Sequence, residues 1–153
     1  MHRVLLVLAT VAAAVTIAAC EGDAPPAGPV DGHPVSLAGT SWVVTAIGGQ
    51  ATPRDRPPTI GFDATSANGS GGCNSFGGRY RYDPATGELR FEALGMTAMA
   101  CAERIRNEVE TAFVGALGQP ALVATVEPDG HLALTSPAGA RIDLTVVGPT
   151  VTD

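Results

Sequence analysis

The sequence predicts one α+β domain built on an antiparallel sheet, and three observations carry that expectation. Short runs of β-forming residues recur along the chain, separated by turns containing Gly, Pro and Asp. A helical apolar period occurs once, over Glu103 to Leu117. Strands come as one block before this helix and another after it, the order of an antiparallel α+β domain. The chain has 153 residues, of which about 110 remain once the N-terminal segments are set aside, enough for one modest core.

The first twenty residues predict an address. Met1-His2-Arg3 is followed by sixteen uncharged residues, Val4 to Ala19. That run is short against the ~20 residues of a membrane-spanning helix and fits the apolar core of a signal peptide. It ends Ile17-Ala18-Ala19-Cys20, which resembles a bacterial lipobox with Ile17 in place of the more usual Leu. The resemblance implies a signal peptide over 1–19, acylation of Cys20 and cleavage before it. An ordinary secretory signal with an accidental cysteine is the alternative. Residues 20–35 hold Pro25, Pro26, Pro29 and Pro34 and no apolar periodicity, the composition of an extended tether. A domain over 36–148 and a tail over 149–153 complete the predicted organisation.

Charge narrows the partners. The chain has nine Arg, no Lys and fifteen acids; without residues 1–19, which hold Arg3 and no acid, eight Arg face fifteen acids, a net charge of −7. Such a surface argues against nucleic acid and against electrostatic adhesion to anionic lipid. Membrane attachment therefore falls to the Cys20 lipid.

Within the domain, Ser41–Ile47 predicts the first strand, stopped by Gly48-Gly49, with Trp42 as a core or rim anchor. Gln50–Pro58 reads as a Pro-rich loop and Thr59–Asp63 as a second strand. Residues 65–78 contain five glycines in fourteen positions. They lack the spacing and lysine of a phosphate loop and the G-x-S-x-G spacing of a hydrolase elbow, so a strongly bent strand or bulge is expected. Residues 78–91 predict a hairpin turning at Pro84–Gly87. Its Arg79, Arg81 and Arg90 form either a basic patch or, the favoured reading, cross-strand pairs with Glu88 and Glu92. The helix is expected to bury Ile105, Val109, Phe113 and Ala116/Leu117. Strands at Ala121–Glu127, His131–Thr135 and Arg141–Val147 follow, joined by turns at Pro128-Asp129-Gly130 and Ser136–Gly139.

Cys73 and Cys101 remain as a pair in an exported domain once Cys20 is acylated, which predicts a disulfide closing a 29-residue loop. Two buried free thiols and a metal or redox site are the alternatives. A metal site would need more ligands, and His33 and His131 are far from both cysteines in sequence. No nucleophile–base pair is recognisable: His33 lies in the tether, His131 in a turn, and Ser75 has no identifiable base. No catalytic residue, metal or cofactor is expected.

Several segments in this order are similar to the META/HslJ-like domain: Leu37–Trp42, Gly72-Cys73-Asn74-Ser75-Phe76-Gly77-Gly78-Arg79-Tyr80, and Leu94–Cys101 with its T-x-M-A-C. The resemblance covers Leu37 to Val147. It implies a curved, mostly antiparallel sheet, an incomplete barrel, with one helix packed across it. It marks Gly72, Asn74, Gly78, Tyr80, Thr97 and Met99 as structural motif positions and transfers no catalytic residue. Ala98 stands where the family commonly has Arg, so no basic role carries over there. Family members are often envelope lipoproteins linked to stress or drug tolerance. The expected function is thus a non-catalytic, lipid-anchored, extracytoplasmic domain at the cell membrane or outer envelope, binding an envelope protein or supporting the envelope. The alternative is a carrier or sensor of an apolar ligand in the open barrel, which an apolar cavity beside Phe113 would support.

Overall fold

The structure, a computed structural model, describes residues 36–99 and 101–147. The expected signal segment 1–19, Cys20, the tether 20–35 and the tail 149–153 lie outside the described residues. Described in chain order are strands β1 (Thr40–Ile47), β2 (Gln50–Ala51), β3 (Thr59–Phe62), β4 (Ser66–Ser70), β5 (Ser75–Asp83) and β6 (Glu88–Met96). Helix α1 (Arg104–Leu117) and strands β7 (Leu122–Val126), β8 (Leu132–Thr135) and β9 (Arg141–Val146) follow.

Every paired neighbour is antiparallel, in the order β2-β1-β3-β4-β5-β6-β7-β8-β9, and β1 also pairs with β9. This corrects the expected incomplete barrel. The two-residue β2 folds back on the end of β1, and the other eight strands close into a barrel. Closure runs through Trp42↔Val146, Val43↔Thr145 and Val44↔Leu144, then, past a bulge, Ala46↔Asp143 and Ile47↔Ile142. A second irregularity lies between Gly77 and Arg79 on β5, opposite Ala93, whose φ is +51°. Bulges bend and twist a sheet, and closure gives both edge strands partners for backbone groups that would otherwise stay open.

The glycine-rich segment has an irregularity of the bulge kind expected, next to Gly77, but it is not one bent strand. It is two strands, β4 and β5, joined by a turn over 71–74 that holds Cys73. Part of the loop expected over 50–58 is taken up by β2.

Alternation along the strands sends one face inward. Trp42, Val44, Ile60, Phe62, Leu134 and Leu144 are all buried, and α1 adds Phe113, Ala116 and Leu117 to the same core. Phe113 meets Phe76 edge to face, with ring centroids 5.6 Å apart. Phe113, Ala116 and Leu117 are buried as expected, but the face departs from the expected one at its start: Ile105 is 52% exposed, while Glu110 is buried. The reason is a polar partner for Glu110, described below. On the barrel exterior, Arg81 pairs with Glu92 and Arg90 with Glu88, so these two arginines are neutralised across or along the strands. The hydrogen bond and charge of Arg81 hold Glu92 below the usual carboxylate range.

β4 runs so close to β3 that position 69 has no room for a side chain: a Cβ on Gly69 would lie 2.0 Å from the Thr59 carbonyl oxygen. Gly69→Ala is therefore expected to destabilise the domain by about 3 kcal/mol, as overpacking against rigid backbone does. Urea unfolding followed by Trp42 fluorescence checks this; a midpoint equal to wild type would refute the close approach.

Candidate functional site

At one end of the barrel, the turn between β4 and β5, the segment after β6 and the middle of α1 converge on Asn74. Asn74 is buried, and its side chain uses all of its hydrogen-bonding capacity inside the protein. Its Nδ2 donates to Glu110 Oε1 at 2.7 Å and to the Met99 carbonyl at 3.2 Å. Its Oδ1 accepts from the Met99 backbone N–H at 2.7 Å and from the Thr97 hydroxyl at 3.0 Å. The Asn74 backbone N–H donates to Glu110 Oε2 at 2.6 Å. Thr97 in turn accepts from the Ser75 N–H at 3.1 Å.

Glu110 is only 6% exposed, yet both of its oxygens are held. A carboxylate at that depth is tolerable because charge-assisted hydrogen bonds replace lost water. Space for it comes from Gly71, where a Cβ would fall 2.6 Å from Glu110 Cγ. Sequence reasoning missed Glu110, because its partner lies 36 residues away. The only hint was an acid three residues before Phe113, on the side of the helix that Phe113 turns toward the core.

Beside this network, Cys73 and Cys101 form a disulfide with Cα atoms 6.0 Å apart. It ties the 71–74 turn to the segment that enters α1. The disulfide borders a cleft of about 270 Å³, also lined by Arg56, Gly72, Met99 and Arg106. Met99 presents its side chain to solvent at 61% exposure. Arg106 donates to Asp55 at 2.7 Å and Glu103 at 3.0 Å. Among the described residues, Arg56 makes no such ion pair.

The remaining motif positions serve different places. Gly72 occupies the turn with φ +105°. Gly78 faces the bulge at Ala93, away from the cleft. Tyr80 donates its hydroxyl to the Asp63 carbonyl at 2.7 Å and sets its ring edge against Phe62, 5.1 Å between centroids. Burial, with the nearby Asp63 charge, pushes the Tyr80 hydroxyl above its ordinary pKa. Asn74, Thr97 and Met99 thus come together with the disulfide, whereas Gly78 and Tyr80 do not.

Among the described residues, neither a nucleophile–base pair nor an apolar-ligand cavity beside Phe113 is brought together. His131 is exposed beside the β7–β8 turn, its backbone N–H donating to Asp129 Oδ1 at 3.1 Å. Phe113, beside which an apolar ligand would sit, is fully buried and packs edge to face on Phe76. Cys20 and His33 lie outside the described residues.

Two stability effects follow. Asn74→Ala removes one of the two donors to the buried Glu110 carboxylate, the backbone N–H remaining, together with the bonds to Thr97 and Met99, and is expected to cost about 3–5 kcal/mol by chemical denaturation. A loss below 1 kcal/mol would mean that Glu110 swings out to water. Replacing Cys73 and Cys101 together by Ala should lower stability by about 3–4 kcal/mol on the chain-entropy account of a loop this long; calorimetry of the double variant against the oxidised wild type measures it.

Comparison with known proteins adds the following. The META domain family model matches residues 35–147. No curated protein matches the chain. The NMR structure of a protein from Burkholderia xenovorans is similar at TM-score 0.60 and 24% identity, over 81% of this chain and 97% of that one. A second NMR structure is similar at TM-score 0.58 and 26% identity, over 70% of this chain and 89% of that one. These likenesses concern the fold.

Proposed function

The chain belongs to the META domain family, and from that premise we propose that it works as a non-catalytic domain of the cell envelope, held at a membrane by a lipid on Cys20 and acting by binding an envelope protein or by structural support. The observation that carries this reading is how the polar groups of the motif are spent. Asn74, Thr97 and Glu110 satisfy one another and the nearby backbone, leaving no free acid, base or nucleophile among them to act on a substrate. Such a network specifies a shape.

The disulfide fits an oxidising, extracytoplasmic compartment. The acidic surface, −7 once residues 1–19 are removed, disfavours nucleic acid and anionic lipid headgroups, which leaves acylation as the means of membrane attachment. A bilayer-anchored acyl group on Cys20, followed by a Pro-rich tether at ~3 Å per residue, would hold the barrel up to about 40 Å from the surface. A stress- or drug-tolerance role of the kind associated with the family would then be exercised through contacts on the barrel exterior.

Expression of the full chain in bacteria fed radiolabelled palmitate tests the anchor. The wild type should carry label and sediment with membranes; Cys20→Ser should lose the label and leave the membrane fraction while keeping the same circular dichroism. An unlabelled wild type, or a Cys20→Ser chain that still sediments with membranes, refutes lipid anchoring.

A further inference from the structure

The two cysteines have a third companion that their sequence neighbourhood does not reveal. A ligand atom from each of Cys73, Cys101 and Glu110 lies within 4.8 Å of the others. We propose that these three side chains form a thiol-gated site for a thiophilic divalent cation of the Zn²⁺ class: closed while the cysteines are joined, competent when they are reduced.

Opening the site is a thiol–disulfide exchange. A small thiolate attacks one Sγ, the Cys73–Cys101 bond breaks, and the other sulfur leaves as thiolate. A second thiolate then attacks the mixed disulfide, releasing the first cysteine sulfur and the reductant as its own disulfide. In total two electrons pass from the two reductant thiolates to the protein disulfide. The cation binds the sulfurs as thiolates, displacing any protons they carry.

The surroundings suit a cation in three respects. With Zn–S near 2.3 Å, a tetrahedral site wants its two sulfurs roughly 3.8 Å apart. Side-chain rotation can supply that over a Cα separation of 6.0 Å, since Cys73 lies in a turn and Cys101 before the helix, neither in a strand ladder. Glu110 is already aimed, its oxygens held by the Asn74 N–H and Nδ2, the outer hydrogen bonds that orient metal-binding carboxylates. The fourth position faces the cleft that both cysteines line, where water or a partner's side chain can complete the set. Charge is nearly balanced: two thiolates and a carboxylate around a dication leave one negative charge, and Arg56 is among the residues lining the same cleft. Arg106 is already neutralised by Asp55 and Glu103. Two sulfur donors select a thiophilic ion over Ca²⁺ or Mg²⁺.

Titration of the full chain carrying Cys20→Ser, so that a third thiol does not contribute, decides the matter with Co²⁺ as probe and Zn²⁺ as competitor. After phosphine reduction the chain should bind one Co²⁺, with thiolate-to-cobalt charge transfer and tetrahedral d–d bands that Zn²⁺ abolishes. The oxidised chain should show neither. Glu110→Gln should bind at least about tenfold more weakly. Cobalt bands of equal strength in the oxidised chain, equal affinity in Glu110→Gln, or no bands after reduction would each overturn the proposal. Should Glu110→Gln not fold, the Asn74 amide proton of the reduced parent chain is read by NMR instead: a shift on adding one equivalent of Zn²⁺ supports the site, and no shift overturns it. If reduction itself unfolds the chain, refolding by Zn²⁺ supports the site and failure to refold overturns it.

Discussion

A carboxylate buried against a barrel end is costly unless donors surround it, and here Asn74 supplies two of them from a single residue. Glu110 could not be accommodated if the 71–74 turn took another shape, because both the backbone N–H and the amide of Asn74 must point at it. The same amide also reads the backbone of Met99 through both its oxygen and its nitrogen. One side chain therefore sets the relative position of a turn, a post-strand segment and a helix. Gly71 is part of this arrangement, since any larger residue would compete with Glu110 for its space.

The disulfide and the polar network join the same pieces but act on different states. Linking Cys73 to Cys101 chiefly restricts the unfolded ensemble, whereas the Asn74 hydrogen bonds exist only in the folded one. The covalent link limits how far the turn and the pre-helix segment can separate; the network decides how they sit once together. Because the two share residues 73–74 and 97–101, their contributions are coupled rather than additive.

What the sequence made legible was local. The hairpin turns at Pro84–Gly87, Pro128–Gly130 and Ser136–Gly139 announce themselves by their own residues, and β7, β8 and β9 begin and end close to where those turns predict. The helix was legible in extent, with its C-terminal end at Leu117 as read. Its face was legible only in the second half, at Phe113, Ala116 and Leu117: a stripe chosen by hydropathy admits Ile105 and rejects Glu110, and nothing near position 110 announces a partner 36 residues back. Barrel closure was hidden for a related reason. Period-two alternation tells which side chains point inward, not which strand lies alongside, and the β1–β9 register joins the two ends of the domain. The cysteine pairing could be read from number and compartment, but the acid beside it required the fold.

The Asn74 network and the disulfide hold the connection that follows the barrel's shortest ladder. Only Glu88↔Val123 and Leu89↔Leu122 join β6 to β7, against seven register pairs between β5 and β6. α1 occupies the connection between these two strands, so the ladder itself does little to fix where β6 ends and the helix begins. The connection is fixed instead from the opposite side of the barrel end. Thr97 and Met99 are bonded to Asn74, Cys101 to Cys73, and Glu110 to Asn74 again, four attachments along the path from β6 into α1. From there Phe113, packed on Phe76, carries the helix into the core. Side-chain and covalent links to the β4–β5 turn thus hold the path from β6 into α1, and the barrel closes although its β6–β7 ladder is only two register pairs long.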